Sequence, residues 1–199
     1  ILLLSLKRWQ KMYKEYKLPK ESFIGGWFIP TNVCNELISY YNQFNMHAIP
    51  GKVKNNYSNK SIKDSIELAI TVHNQDKEII KYQKCLQQVL NLYMKKYPEV
   101  DKCEKFKFAD ANIQKYPKKG GFKKWHHERT HSLYSKRLLV FMTYLNNIVN
   151  GGTIFKYQKI TTPSKKGLTL IWPPDFTHTH KGQIVDKEKM IITGWFELI

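Results

Sequence analysis

Leu138-Leu-Val-Phe-Met-Thr-Tyr-Leu145, then Gly151-Gly-Thr-Ile-Phe155, then Gly167-Leu-Thr-Leu-Ile-Trp172, is the series that decides the fold class. Each run is short and rich in β-branched, aromatic or aliphatic residues. Asn, Gly, Pro and Ser punctuate the intervals, so the runs read as strands joined by turns. The first run is apolar on both faces, as expected of a strand buried between two layers. By strand parity Tyr144 shares a face with Leu138, Val140 and Met142, which makes core packing its expected role. Working outward, Phe108 to Tyr116 leads into the turn Lys118-Lys-Gly-Gly121, Thr153 to Ile160 follows Gly151-Gly152, and Lys189 to Leu198 closes the chain. Strands this short and this regularly spaced predict two packed antiparallel sheets, as a sandwich or a barrel.

Upstream the period changes from two to about 3.6. Ile79, Tyr82, Leu86, Val89, Leu90, Tyr93 and Tyr97 lie on one stripe of a helix predicted over 75–97. Asn74 can cap it, Asp76 and Glu78 suit its positive end, and Lys95 and Lys96 suit its negative end before Pro98 stops it. The stripe is a packing face, and the helix is expected to back one sheet. A second helix is predicted from Val33 to Phe44 after Pro30-Thr31-Asn32, with Leu37, Ile38 and Tyr41 inward, and Ser22 to Ile29 reads as a strand. Residues 5–17 offer a basic amphipathic helix carrying Leu6, Trp9, Tyr13 and Tyr16, while the Asn, Lys, Ser and Gly of residues 45–63 predict a loop. Residues 1–199 are thus expected to form a single domain. About 1–105 would give helical support and the first strands, and about 106–199 the β core.

Composition excludes several classes. A chain of 199 residues that is 42% hydrophobic and 14% aromatic is long and apolar enough to bury a core, which excludes a disordered segment. Ile1 to Leu6 are apolar but lack a basic leader and a cleavage site. No stretch approaches the roughly 18 apolar residues of a membrane span, so no membrane partner is expected. Cys34, Cys85 and Cys103 form an odd, widely spaced set, unlike a disulfide framework or a zinc ribbon, and point to a reducing cytoplasm. The 33 basic against 16 acidic residues give +17, which would draw nucleic acid or an acidic protein. Only Arg8, Arg129 and Arg137 are arginines, however. Lysines spread along an Asn- and Ile-rich chain look more like the drift of an AT-rich genome than a phosphate-reading surface.

The chemistry is carried by His126-His-Glu128, answered downstream by His178-Thr-His180. A single histidine is more often a surface or hydrogen-bonded residue than a ligand, so the spacing matters more than the residue type. On extended backbone residues i and i+2 share a face, so His126 and Glu128 can reach one cation while His127 looks away. A histidine from a distant strand would complete three ligands, with His178 and His180 as rivals and His131 a weaker one. Two imidazoles and one carboxylate with the opposite positions open is the geometry of non-haem Fe(II) oxygenases.

The wider context is Tyr116-Pro-Lys-Lys-Gly-Gly-Phe-Lys-Lys-Trp125 before the pair. After it come Met142-Thr-Tyr-Leu-Asn146, Gly151-Gly-Thr, Trp172-Pro-Pro174, His180-Lys-Gly182 and Lys189-Met-Ile-Ile-Thr-Gly-Trp195. From about residue 106 to the end, this series resembles the prolyl-4-hydroxylase-like branch of the 2-oxoglutarate and Fe(II)-dependent oxygenases, in particular small members from phages and large DNA viruses. The resemblance implies an α+β fold, a double-stranded β-helix (jelly roll) with supporting N-terminal helices. It implies iron bound by His126, Glu128 and His180, a salt bridge from Lys189 to the distal carboxylate of 2-oxoglutarate, a hydrogen bond from Tyr116 to the same co-substrate, and Thr153 lining its pocket. His180 is preferred to His178 because His180-Lys-Gly182 matches the family. Two features depart from the family: Glu128 stands where Asp is usual, and the interval from His180 to Lys189 is one residue shorter than the commonest one.

The implied activity is hydroxylation of proline in a peptide or protein with Fe(II), 2-oxoglutarate and O2, releasing succinate and CO2, with ascorbate as a reductant. A viral enzyme of this kind would work in the host cytoplasm. Two other readings remain open at this point: the same iron chemistry on a nucleic-acid base or free amino acid, and a non-enzymatic basic module whose histidines hold structural zinc. Trp125 and Trp195 are expected as core or pocket wall, and Arg129 or Arg137 as a substrate contact or a carboxylate partner.

Overall fold

The computed structural model describes residues 13–53 and 57–199. Seven strands form the main antiparallel sheet. In chain order they are β1 (Gly25–Phe28), β2 (Ile49–Pro50), β4 (Ile66–Ile70), β5 (Phe106–Tyr116), β7 (Arg137–Tyr144), β10 (Leu168–Trp172) and β12 (Lys189–Leu198). Across the sheet the order is β1-β10-β7-β12-β5-β4-β2. A three-stranded sheet joins β8 (Thr153–Phe155), β9 (Ile160–Thr161) and β11 (His180–Gly182), and β3 (Lys63–Asp64) pairs with β6 (Gly121–Phe122).

Strand parity divides the main sheet into two working faces. Ala111 and Ile113 of β5, Leu139 and Phe141 of β7, and Met190, Ile192 and Phe196 of β12 pack with two helices, α1 (Thr31–Gln43) and α2 (Lys77–Lys96). The alternate residues Tyr116, Val140, Met142, Tyr144 and Ile191 pack toward Phe155 of the small sheet. One polar chain ties the helix layer to the sheet: the Tyr82 hydroxyl lies 3.0 Å from Thr143 Oγ1, which lies 2.8 Å from Thr169 Oγ1.

Most predicted elements form, with shifted ends. The stripe of α2 is buried throughout, Leu37 and Tyr41 of α1 are buried, and Ile38 packs at the edge of the core. The α2 cap is Asp76, whose amide donates to Asn74 Oδ1 at 3.0 Å, so the helix starts two residues later than expected and Asn74 supports the cap instead of forming it. The run predicted from Thr153 to Ile160 is two short strands, β8 and β9, separated by a turn. Within 45–63, a 3-10 turn at Asn45–His47 and strand β2 interrupt the expected loop, and residues 54–56 lie outside the described residues.

The amphipathic helix expected over 5–17 is corrected where it can be seen, its first part falling outside the described residues. Tyr16 N donates to Gly26 O and Phe28 N to Lys14 O, both at 2.9 Å, so residues 14–16 run extended beside β1. Sheet pairing there outweighs the helical spacing of Tyr13 and Tyr16.

Gly152 shows why the Gly-Gly-Thr turn is written that way. A Cβ there would lie 1.5 Å from the carbonyl oxygen of Thr162. Only a residue without one lets the two backbones approach. Gly152→Ala is expected to lower stability by about 2–3 kcal/mol through overpacking that no side-chain rotation relieves. Urea denaturation monitored by circular dichroism checks this, with an unchanged midpoint as the contrary result.

Candidate metal centre

His126, Glu128 and His180 meet, although they come from different kinds of backbone. His180 opens β11. His126 lies outside any continuous ladder and makes one isolated bridge to His180, with His126 N donating to His180 O at 3.0 Å and His180 N to His126 O at 2.8 Å. Glu128 N then donates to Pro174 O at 2.9 Å. The expected i, i+2 geometry holds without the expected strand. One ligand atom from each of the three residues lies within 4.8 Å of the others.

The histidine rings are oriented by backbone carbonyls. His126 Nδ1 is 3.1 Å from Lys124 O, and His180 Nδ1 is 2.8 Å from His178 O. A carbonyl only accepts, so each Nδ1 carries the proton and each Nε2 turns a lone pair inward. Those Nε2 atoms lie 3.5 Å (His126) and 3.7 Å (His180) from Glu128 Oε1. Further packing fixes the rings, with Phe122 stacked on His126 at 3.5 Å between centroids and Trp172 edge-on to His180 at 5.2 Å.

Electrostatics suit a cation. Burial, with the neighbouring His126, pushes the His180 pKa down to about 3, so its imidazole is neutral at pH 7. Burial works to raise the Glu128 pKa, but the nearness of His126, His180 and Arg137 outweighs it and holds the carboxyl down at about 2. Two inward lone pairs and an anionic oxygen form a donor set that fits a divalent ion with open positions. Among the described residues this cluster contains no fourth His, Cys or carboxylate, as tetrahedral structural zinc would need.

The ligand set lines a narrow cavity of about 100 Å³ whose wall also includes Tyr116, Tyr144, Thr153 and Lys189. A larger groove of about 820 Å³ by Phe23, Ile160 and Phe176 is lined by His178 and Glu21 but by none of the three clustered ligands. In the small cavity Lys189 is 4% exposed. Its ammonium donates to Gly151 O at 3.0 Å and Gln183 O at 3.2 Å, which leaves one N–H for a ligand, and among the described residues it has no carboxylate partner. Tyr144 donates or accepts at Thr153 Oγ1 (2.8 Å) and Thr162 Oγ1 (2.9 Å). The Tyr116 hydroxyl donates to Gln114, and burial keeps it protonated well above its ordinary range.

Residues 111–197 match the family model of the 2OG-Fe(II) oxygenase superfamily. That stretch, which holds all three clustered ligands, is similar to the 2-oxoglutarate- and Fe(II)-dependent oxygenases. Enzymes of this kind are dioxygenases that use Fe(II), 2-oxoglutarate and O2. No curated protein matches the chain. Among solved structures, a Pseudomonas putida prolyl-4-hydroxylase superposes with a TM-score of 0.65 at 15% identity, covering 99% of each chain. The viral collagen prolyl hydroxylase of Paramecium Bursaria Chlorella virus-1, in its 2OG complex, gives 0.65 at 19%, covering 94% of this chain and 97% of that one. A Trichoplax adhaerens prolyl hydroxylase, in complex with a hypoxia inducible factor oxygen degradation domain peptide fragment, gives 0.68 at 15%, covering 98% and 92%. These likenesses establish a shared fold.

Within the matched stretch the rival ligands separate cleanly. His178 sits in a 3-10 turn with its Nε2 2.9 Å from Ser22 O, and His131 is an exposed cap of another 3-10 turn. Neither joins the cluster. Trp195 is pocket wall as expected, but Trp125 is 41% exposed with Lys181 over its ring, which corrects the expectation of core or wall. Both arginines partner carboxylates: Arg129 makes a fork of 2.7 and 2.8 Å bonds to Asp175, and Arg137 lies beside Glu128 and Glu197. Lys63, which the sequence did not single out, also lines the cavity and pairs with Glu67 at 2.6 Å. Nothing in its local spacing marks it, because it enters through a two-residue strand.

Burial lowers the Lys189 pKa from 10.5 to about 8. Between those values the unfolded chain holds a proton that the folded chain lacks, so stability rises with pH across that window. Lys189→Met is therefore expected to stabilise the ligand-free protein by up to about 3 kcal/mol below pH 8, with the advantage gone above pH 10.5. Melting curves of both proteins at several pH values check this, and a gap that does not narrow would contradict it.

Proposed function

We propose that this domain is a jelly-roll prolyl hydroxylase that acts on proline in a peptide or protein. His126, Glu128 and His180 bind Fe(II), Lys189 pairs with the distal carboxylate of 2-oxoglutarate, Tyr116 turns its hydroxyl from Gln114 to donate to the co-substrate, and Thr153 lines its pocket. The observation that carries the reading is a buried ammonium with no anionic partner among the described residues, in the same narrow cavity as three inward-facing acceptors. One end of that cavity wants a cation and the other a carboxylate, which matches a ferrous ion chelated by a dicarboxylate keto acid.

When bound, iron, keto acid and dioxygen supply an oxidant able to insert one oxygen atom into a C–H bond, with succinate and CO2 as the other products. The chain's own residues do different work. His126 and His180 keep their lone pairs aimed because Lys124 O and His178 O hold the opposite ring nitrogens. Lys189 and Tyr116 orient the co-substrate, and Phe155, Trp172 and Ile191 exclude water around it. Proline is favoured as the substrate because the prolyl hydroxylases above share the fold over nearly the whole chain.

Under anaerobic conditions Fe(II) plus 2-oxoglutarate should give the visible charge-transfer band of a chelated keto acid. His126→Ala or His180→Ala should abolish it, while Lys189→Ala should raise the 2-oxoglutarate Kd by about tenfold or more and leave iron bound. A band that persists in both histidine variants would remove the assigned ligands. Turnover of a proline-containing peptide library, read by mass spectrometry, should show gain of one oxygen atom on proline, and gain confined to other residues would reject the substrate class.

A further inference from the structure

Glu128 is one methylene longer than the acid usual at its position, and the two oxygens of its carboxylate have different surroundings. Oε1 faces the histidine Nε2 atoms. Oε2 accepts a hydrogen bond from the Trp195 indole Nε1 at 3.2 Å and lies 3.6 Å from Arg137 Nη1. Arg137 is itself fixed. It donates to the main-chain oxygen of Glu128 at 2.7 Å, and its guanidinium lies 3.6 Å from the Trp195 ring centroid and 4.0 Å from that of Tyr134.

We infer that Trp195 and Arg137 are positioning residues that commit one Glu128 oxygen to the protein and leave the other for the metal. The inference rests on the metal reading proposed above. The extra methylene gives glutamate one more torsion than aspartate and lets its carboxylate swing until both oxygens face the ion. Chelation through both would occupy a position that a keto acid and dioxygen need, since three protein donors leave three sites in an octahedral sphere. An indole N–H and a guanidinium on Oε2 oppose that swing. The indole also ties the ligand to β12, the strand that carries Lys189.

Co(II), which binds such sites without turnover, is the probe. Trp195→Phe keeps an aromatic ring beneath Arg137 and removes only the donor. With the second oxygen free to join the ion, it should tighten Co(II) binding by about tenfold and change the intensity of the Co(II) visible bands, with the metal-free melting temperature close to wild type. Arg137→Gln removes the charge from the same oxygen and should tighten binding in the same direction. In a Glu128→Asp background, where the carboxylate is drawn back from the indole, adding Trp195→Phe should change Co(II) affinity by less than about twofold. Wild-type affinity in both single variants would overturn the inference. An equal change from Trp195→Phe with and without Glu128→Asp, or a loss of affinity in both single variants, would overturn it too, since the tryptophan would then act through the fold alone. Failure of the wild-type protein to bind Co(II) would instead reject the metal reading beneath it.

Discussion

Mutual repulsion at one point governs this structure. Two imidazole lone pairs and a carboxylate oxygen lie within 4.8 Å of one another, all acceptors, in a pocket where water screens them little. Such an arrangement is costly unless something positive joins it. The surrounding fold maintains it nonetheless. Lys124 O and His178 O pin the rings, the reciprocal bridge between His126 and His180 holds the two segments together, and Pro174 O anchors the amides of Glu128 and Arg129. The architecture exists to keep apart from water a set of groups that would otherwise turn outward.

The two faces of the main sheet divide this labour. On one, α2 presses Tyr82, Val89 and Tyr93 into the core and hydrogen-bonds the sheet through Thr143. That rigid backing fixes β5, β7 and β12, whose alternate residues turn Tyr116, Tyr144 and Lys189 into the cavity. The second charge problem lies there, because Lys189 keeps its ammonium on two carbonyls and has no carboxylate partner among the described residues. An unpaired cation and an uncompensated acceptor cluster share a cavity of about 100 Å³, and a ligand that satisfies both would remove both penalties together.

Much of this was legible in the chain because it rests on short-range periodicity. The α2 stripe, the β7 run and the pair His126 and Glu128 follow from spacings of three, four and two residues, and the structure keeps all three. What escaped depends on partners distant in sequence. Ile66 to Ile70 form β4 by pairing with β5, on an alternation of Ile66, Leu68 and Ile70 that is short beside the longer runs. Tyr13 and Tyr16 have helical spacing, yet β1 recruits their neighbourhood as an extended partner. Spacing alone left His178 and His180 as equals, and they separate only because Asp175 to His178 coil into a turn that sends His178 toward Ser22. The short interval to Lys189 proved no obstacle, since Lys189 pairs in register with Tyr116 across β12 and β5.

The most direct measurement is the anomalous X-ray signal of a crystal soaked with Mn(II) and 2-oxoglutarate without oxygen. The account predicts one peak bound by His126 Nε2, His180 Nε2 and a single Glu128 oxygen, with the far carboxylate of the keto acid on Lys189. A peak at His178 or His131, or a co-substrate turned away from Lys189, would contradict it.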